Sequence, residues 1–245
     1  MSNEILLIIN LIAVYLMAVA AYCLFGKKGV LCWNVLATVA ANIEVMILIR
    51  AYGLEQTLGN ILFASTFVAT DILSENHGKK EASLAVKTGI AASLAFIIIS
   101  HIWLIYTPSE NDFIMPAMIQ VFSNTPRIMI AGFVVYGIVQ LLDVWLYHKI
   151  WEFTTKKCGE SKKLLWLRNN IATLLSQLIN AILFNVFAFA GVYSTGTLIS
   201  IILSTYLIYI ITSIADTPVV YFARTLKNRG HYSILYRELN CTVFV

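Results

Sequence analysis

Amides and hydroxyls recur along one side of a long apolar segment, Leu165–Gly191. Asn169, Thr173, Gln177 and Asn180 follow one another at intervals of three or four residues, so on a helix they share one face. Lipid offers such groups no hydrogen-bond partner, and this face must therefore meet protein, water or a ligand. For any single member, hydrogen bonding between helices is the better explanation. The stripe as a whole, together with polar positions in other apolar segments, favours a ligand site.

Polar groups also interrupt the other apolar segments. The second segment carries Asn42 and Glu44, and a carboxylate well inside a membrane span costs about 3 kcal/mol, so it needs a partner or a function. Asp71 closes the third segment, where it serves either a site or the turn and the lysines that follow. Gln140 and Asp143 lie in the fifth segment, three residues apart. Donors and acceptors of this kind suit a polar ligand with little charge, such as a nucleobase or a vitamin.

The composition indicates that these polar groups belong to a membrane protein. Of the 245 residues, 59% are hydrophobic and 12% are charged, and the mean hydropathy is +0.79. These values exclude an ordinary soluble domain and predict an all-α integral membrane protein. Seven spans are predicted, at Ile5–Phe25, Val30–Ile49, Leu58–Leu73, Ala82–Tyr106, Ile128–Ile150, Ile171–Val192 and Leu198–Phe222.

The basic residues agree with this count and predict an orientation. All of the 17 lysines and arginines except Arg50, Lys87 and Arg127 fall on alternate connections or in the tail. The positive-inside rule assigns those connections to the cytoplasm, so the N-terminus is expected outside and the C-terminus inside. One polytopic domain is expected, with an extra N-terminal span in residues 1–29, a six-helix core in 30–225 and a cytoplasmic tail in 226–245.

The connection Thr107–Arg127 is the longest on the predicted outer side. Its apolar part, Phe113–Phe122, is too short to cross a bilayer and contains Pro116, which favours an interfacial or re-entrant segment, with a lid as one use for it. Pro218, late in the seventh span, predicts a kink. We find no nucleophile elbow, no HExxH motif, no phosphate-binding loop and no metal-ligand spacing of cysteines. We therefore expect neither an enzyme nor a metal or cofactor, and no direct contact with nucleic acid.

Several short motifs resemble the queuosine precursor transporter family, which is also described as vitamin-uptake-like. They are Ala41-Asn42-Ile43, Leu58-Gly59-Asn60-Ile61-Leu62, Thr70-Asp71-Ile72-Leu73-Ser74-Glu75, Gly78-Lys79-Lys80-Glu81-Ala82, Asn124-Thr125-Pro126-Arg127, Gln140-Leu141-Leu142-Asp143-Val144, Ser176-Gln177, Phe184, Ala188-Phe189, Asp216-Thr217-Pro218 and Tyr221. Each motif alone is weak, but together they span residues 33–225 and are specific.

The resemblance implies a six-span core in the bacterial plasma membrane, related to the substrate-binding components of energy-coupling vitamin transporters. The implied cargo is a 7-deazaguanine base such as preQ0 or preQ1, queuine, or the nucleoside queuosine. Asn180 and Ile208 depart from the family, whose members often carry an aspartate and a lysine there. A substrate-binding subunit with a separate energising partner, a homodimer and a non-transporting receptor all stay open.

Roles for individual side chains follow from the implied ligand. A deazaguanine presents an amino and ring N–H edge that a carboxylate can accept, and a carbonyl that amides or arginine can reach. Glu44 or Asp143 is expected in the first role, and stacking is expected from aromatic rings. The predicted substrate-binding residues are Asn42, Glu44, Asn60, Phe67, Asp71, Arg127, Tyr136, Gln140, Asp143, Gln177, Asn180, Phe184 and Tyr206.

Overall fold

The computed structural model describes residues 2–123, 126–158 and 164–230. Within these ranges the chain forms eight helices and one β-hairpin. Their bounds are α1 Asn3–Phe25, α2 Lys27–Glu44, β1 Leu48–Ala51, β2 Leu54–Thr57, α3 Gly59–His77, α4 Lys79–Trp103, α5 Met115–Ser123, α6 Pro126–Cys158, α7 Leu165–Phe189 and α8 Thr195–Asn228. Predictions that fall on Asn124, Thr125, Lys162, Lys163 and the tail beyond residue 230 lie outside the described residues.

Five of the helices are long and apolar enough to cross a membrane: α1, α4, most of α6, α7 and α8. Helices α2 and α3 coincide with two further predicted spans but are more polar. In α3 the reason is its position, because it packs against α1, α2, α4, α6 and α8 and is buried along nearly its whole length. A helix that is surrounded by protein does not need an apolar surface for lipid.

The second predicted span ends earlier than expected, which corrects the position of Glu44. The helix was expected to reach Ile49, but α2 ends at Glu44 and strand β1 begins at Leu48. Glu44 is therefore a half-buried residue at a helix terminus rather than a carboxylate well inside a span. The chain leaves the helix because the following residues pair as strands.

The β-hairpin of β1 and β2 was not predicted. Its strands pair antiparallel around Tyr52 and Gly53, which have φ angles of 53° and 75°. Positive φ at both positions is typical of the type I′ turn that suits a two-residue hairpin. The N–H of Tyr52 donates to the Glu4 carboxylate at 3.0 Å, and the Asn3 amide donates to the carbonyl of Arg50 at 2.8 Å. These bonds connect the hairpin to the start of α1.

The connections between helices divide between the two ends of the bundle. Glycine turns at Gly26 and Gly78, with φ of 61° and 86°, join α1 to α2 and α3 to α4 at one end. The hairpin, α5 and the turn before α8 lie at the other end. Pro218 lies inside α8, and the helix continues on both sides of it.

The long connection before α6 contains the nine-residue helix α5. The Asp112 carboxylate accepts the N–H of Met115 at 2.8 Å and so begins the helix. The ring of Phe122 packs edge-on against Phe96 and Trp103 of α4, with centroids 6.0 Å and 5.9 Å away. Helix α5 is too short to span, and its role as an interfacial segment or lid stays a prediction.

Candidate functional site: a polar cavity between five helices

A cavity with about 430 Å³ of empty space lies between α2, α3, α6, α7 and α8, toward the hairpin end of the bundle. No charged side chain belongs to its lining in the part of the chain that the structure describes. The lining residues are Thr38, Ala41, Asn42, Val45, Gly59, Asn60, Phe63, Gly132, Tyr136, Asn180, Phe184 and Tyr209. The cavity is narrow, so a bicyclic base requires the walls to move apart.

One wall of the cavity is a chain of hydrogen bonds centred on Asn60. The Asn180 amide donates to the Tyr209 hydroxyl at 2.9 Å, and that hydroxyl donates to Asn60 Oδ1 at 3.4 Å. The hydroxyl of Thr57 also donates to Asn60 Oδ1, at 3.1 Å. The Asn60 Nδ2 group, in contrast, is buried and has no partner among the described residues. An unpaired buried donor is costly, and a ligand acceptor placed here relieves that cost.

The opposite wall presents an acceptor to the same space. Asn42 donates from Nδ2 to the Thr38 carbonyl at 2.9 Å, which leaves its Oδ1 directed toward Gly132. Below it, Asn34 donates to the Tyr136 hydroxyl at 3.0 Å and to a carbonyl of α4, which fixes that ring. Phe63 packs edge-on against Tyr136 with centroids 6.2 Å apart. The cavity therefore combines amide donors and acceptors with aromatic faces, as recognition of a planar, polar base requires.

Two helical turns beyond the cavity lies a layer of three fully buried carboxylates, which we call the acid layer: Asp71, Asp143 and Asp216. Asp143 follows Tyr136 by seven residues on α6, and Asp216 follows Tyr209 by seven on α8, so each pair shares a helix face about 10 Å apart along the axis. Asp71 of α3 lies at a similar depth, because Thr173, seven residues before Asn180 on α7, donates to it.

Few hydrogen bonds serve the acid layer. Asp71 Oδ2 accepts from Thr173 at 3.3 Å, and Asp216 Oδ1 accepts from the Tyr15 hydroxyl of α1. Neither oxygen of Asp143 has a hydrogen-bond partner within residues 2–123, 126–158 and 164–230, because the nearby Ser176 hydroxyl donates to its own helix at 2.8 Å. Buried polar groups are normally paired, so this layer is exceptional within the bundle.

A buried ion pair lies one helical turn further from the cavity than the acid layer. Arg168 donates from Nη2 and Nε to Glu75 Oε2 at 2.5 Å and 3.2 Å, and Arg224 approaches the other oxygen at 3.4 Å. The guanidinium of Arg168 lies over the ring of Trp151 at 4.1 Å, and Tyr147 donates to Glu75 at 2.8 Å. The network is satisfied and belongs to the bundle's structure.

Comparison with known proteins shows the family to which this membrane bundle belongs. A family model described as "Putative vitamin uptake transporter" matches residues 57–223. The chain belongs to this family. It is also similar to the "Probable queuosine precursor transporter" of Bacillus subtilis (strain 168), with 34% identity over 202 residues, 82% of this chain and 86% of the relative. No solved structure matches the chain.

Membership confirms the family resemblance that the sequence motifs indicate. The chain is a multi-pass membrane transporter of a family that is not an enzyme family. The matched region contains the acid layer and most of the cavity, including Asn60, Tyr136, Asn180 and Tyr209. Helices α1 and α2, with Asn42, lie before it.

Five of the predicted binding residues of this vitamin uptake transporter line the cavity. They are Asn42, Asn60, Tyr136, Asn180 and Phe184. Asp71 and Asp143 lie in the acid layer, and Gln177 lies between the cavity and that layer on α7. Glu44 adjoins Val45 at the cavity's end, and its Oε2 is buried without a partner among the described residues.

The other predicted residues of the transporter have different surroundings. Gln140 donates to Thr66 at 2.5 Å and accepts from Thr70 at 3.2 Å, which binds α6 to α3. Phe67 is fully buried among apolar side chains, and Tyr206 is half-buried outside the cavity lining. Arg127 is exposed and donates to the carbonyls of Phe187 and Ala190, each at 2.7 Å, so it caps the end of α7.

Sequence reasoning missed several lining residues, above all Phe63, Gly132 and Tyr209. Tyr209 lies four residues before Ser213 and seven before Asp216 on the polar face of α8, and that spacing was the available signal. Phe63 and Gly132 carry no comparable signal, because an aromatic residue or glycine in an apolar helix is ordinary lipid-facing or packing sequence.

A second cavity lies between α1, the hairpin and α8, with about 900 Å³ of empty space. Its lining is mostly aliphatic, with Leu7, Leu11, Ile208 and Ile211 among the residues. In a bilayer, such a cleft faces hydrocarbon and offers little to orient a polar ligand. We therefore place the candidate site in the smaller, polar cavity.

Proposed function

We propose that this transporter imports a queuosine precursor or salvage compound, a 7-deazaguanine base or its nucleoside, through the polar cavity. The observation that carries the proposal is the cavity lining, which brings amides of three helices and four aromatic rings around one uncharged space. The name of the Bacillus subtilis relative supports the same cargo. A purine-like base with one carbonyl and several N–H groups matches this set of donors and acceptors.

The unpaired groups of the cavity define the recognition. Asn60 Nδ2 is free to donate to the base carbonyl, while Asn42 Oδ1 and the carbonyl oxygen of Asn180 accept from its amino and ring N–H groups. Phe63 and Phe184 provide faces for stacking. Asparagine oxygens thus take the role that the sequence suggested for a carboxylate, and Glu44 stays a candidate for an amino group at the cavity's end.

We further propose seven spans, with the N-terminus outside. Lys27, Lys79 and the C-terminal ends of α6 and α8 lie at the same end of the bundle, opposite the hairpin. By the positive-inside rule this end is cytoplasmic, and the cavity lies toward the outer side. Helix α1 is then an addition to a six-helix core, held by the bond from Tyr15 to Asp216.

Alanine in place of Asn180 is expected to weaken preQ1 binding about tenfold, because it removes one acceptor and leaves the Tyr209 hydroxyl without its donor. Isothermal titration calorimetry of the detergent-purified protein measures the change. Asn170→Ala is the matched control: this asparagine of the same helix bonds Thr217 at 2.6 Å, away from the cavity. Equal affinities of Asn180→Ala and wild type contradict the assignment.

Uptake of labelled preQ1 by proteoliposomes tests the proposed function itself. We expect vesicles with this chain alone to accumulate label above empty vesicles, and unlabelled preQ1 to compete. Binding without uptake instead favours a substrate-binding subunit with a separate energising partner. Absence of both binding and uptake for preQ0, preQ1, queuine and queuosine contradicts the proposal.

A further inference from the structure

The acid layer has no role in the cavity's hydrogen bonds, yet it lies directly beneath the cavity on the same helices. Asp71, Asp143 and Asp216 come from α3, α6 and α8, and each is fully buried. Three carboxylates placed together in a membrane interior require an explanation, since such groups are expensive there and usually mark an ion or proton pathway.

Among the described residues, no salt bridge joins a cation to the acid layer. The guanidinium of Arg168 on α7 is held by Glu75 and stacks on an aromatic ring. The other titratable groups facing the layer are Tyr15 of α1, Tyr147 of α6 and, further along α8, Arg224. The buried residues of α2 and α4 are uncharged.

The three carboxylates lie in a setting that penalises charge. An ionised carboxylate that lacks a compensating cation is expensive in a membrane interior. Asp143 is the clearest case, because both of its oxygens lack partners in the described part of the chain. A bound metal ion is not supported, since the described residues contain no group of three acidic, histidine or cysteine side chains that could hold one. Protons are the ligands that this geometry accommodates.

An unpaired amide lies between the acid layer and the cavity. Gln177 is fully buried, and neither its Oε1 nor its Nε2 has a partner among the residues described. It lies on the face of α7 between Thr173, which bonds Asp71, and Asn180, which lines the cavity. An amide can donate to an ionised carboxylate or accept from a protonated one, so Gln177 suits a neighbouring carboxylate in either protonation state.

We propose that the acid layer is the proton-binding site that couples substrate import to the proton gradient. This inference rests on the proposed transport function. A proton from the outer side binds one of the carboxylates, principally Asp143 or Asp71, converts it to the neutral acid, and leaves on the cytoplasmic side as substrate is released. No electron transfer or second reactant is needed.

Proton flux in proteoliposomes tests the coupling. Vesicles containing the wild-type protein and an internal pH-sensitive dye receive external preQ1 without an imposed pH gradient. We expect preQ1 entry to acidify the interior, and an acid-outside gradient to raise initial uptake about tenfold. The proposed coupling to protons is wrong if preQ1 uptake moves no protons, or if a sodium gradient drives the uptake at constant pH. Loss of calorimetric binding overturns the proposed function instead, so the two failures are distinguishable.

Two variants locate the coupling in the acid layer. We expect Asp143→Asn and Asp71→Asn to lose acceleration by the pH gradient while binding preQ1 within about threefold of wild type, because both carboxylates lie outside the cavity lining. Asp112→Asn is the control, an exposed carboxylate near α5. If both variants keep gradient-driven uptake, the layer is not the coupling site. If neither variant folds, the wild-type flux measurement still decides whether protons are carried. An Asp143→Glu variant, which keeps the carboxylate, is then expected to keep uptake driven by the pH gradient.

Discussion

Leucine in place of Gly132 is expected to abolish ligand binding, with a loss of affinity of at least about 100-fold, or roughly 2.7 kcal/mol. A Cβ at this position of α6 lies 2.6 Å from Asn42 Oδ1 and 3.8 Å from the Phe184 ring. The remaining atoms of a leucine side chain enter the narrow cavity itself. Calorimetric titration of the purified variant with preQ1 measures the loss, and uptake is expected to disappear with it.

The matched control is Gly137→Leu, five residues further along the same helix. A Cβ there meets only the flexible end of Ile90, at 3.2 Å, and points away from the cavity. We expect this variant to bind preQ1 within about twofold of wild type, since the affinity depends on the cavity's contacts. Wild-type affinity in Gly132→Leu would falsify the placement of the ligand.

Methionine in place of Arg168 is expected to lower the free energy of unfolding by about 3–5 kcal/mol. The substitution leaves Arg224, at 3.4 Å, as the cation beside the Glu75 carboxylate among the described residues, and it removes the stacking on Trp151; the carboxylate is only 3% exposed. The physical cause is a poorly compensated buried charge rather than the loss of an attractive contact. Unfolding in mixed micelles measures the difference.

Two further variants separate the cost of leaving a buried charge from the loss of an attractive contact: one in an exposed ion pair, and one with both partners of the buried pair replaced. Lys27→Met removes the pair with Glu81 at 2.7 Å, where the lysine side chain is 47% exposed, and should cost less than about 1 kcal/mol. The double variant Glu75→Gln with Arg168→Met should recover part of the loss, because it removes the stranded charge. If Arg168→Met destabilises no more than Lys27→Met, the ion pair does not stabilise the bundle as described.

Periodicity predicted the faces of the helices but not the depth of each residue. The polar stripe on α7 does face the interior, but its members lie at three different depths. Thr173 donates to Asp71 in the acid layer, Asn180 lines the cavity, and Gln177 lies between them. Tyr136 and Asp143 likewise share a face, since seven residues make two turns. The implied ligand placed Asp143 in the binding site, whereas the fold places it about 10 Å deeper along α6 than Tyr136.

The central helix and the hairpin show a second limit of the sequence. Helix α3 coincides with the span predicted at Leu58–Leu73, but the sequence did not indicate that protein rather than lipid surrounds this helix on nearly all sides. The residues after Glu44 continued the apolar run of α2, so a helix was expected through Ile49. Only the Tyr52-Gly53 pair indicated a turn. In the structure this turn joins the two strands of the hairpin.

Calorimetric titration of the wild-type protein with preQ1, guanine and adenine tests the central claim most directly. The cavity's amides match the carbonyl and N–H edge that preQ1 and guanine share, whereas adenine lacks the carbonyl that Asn60 is free to bind. We predict binding of preQ1 and of guanine, and binding of adenine at least about tenfold weaker than that of preQ1. Equal affinity for adenine and preQ1, or no binding of any base, would contradict the account.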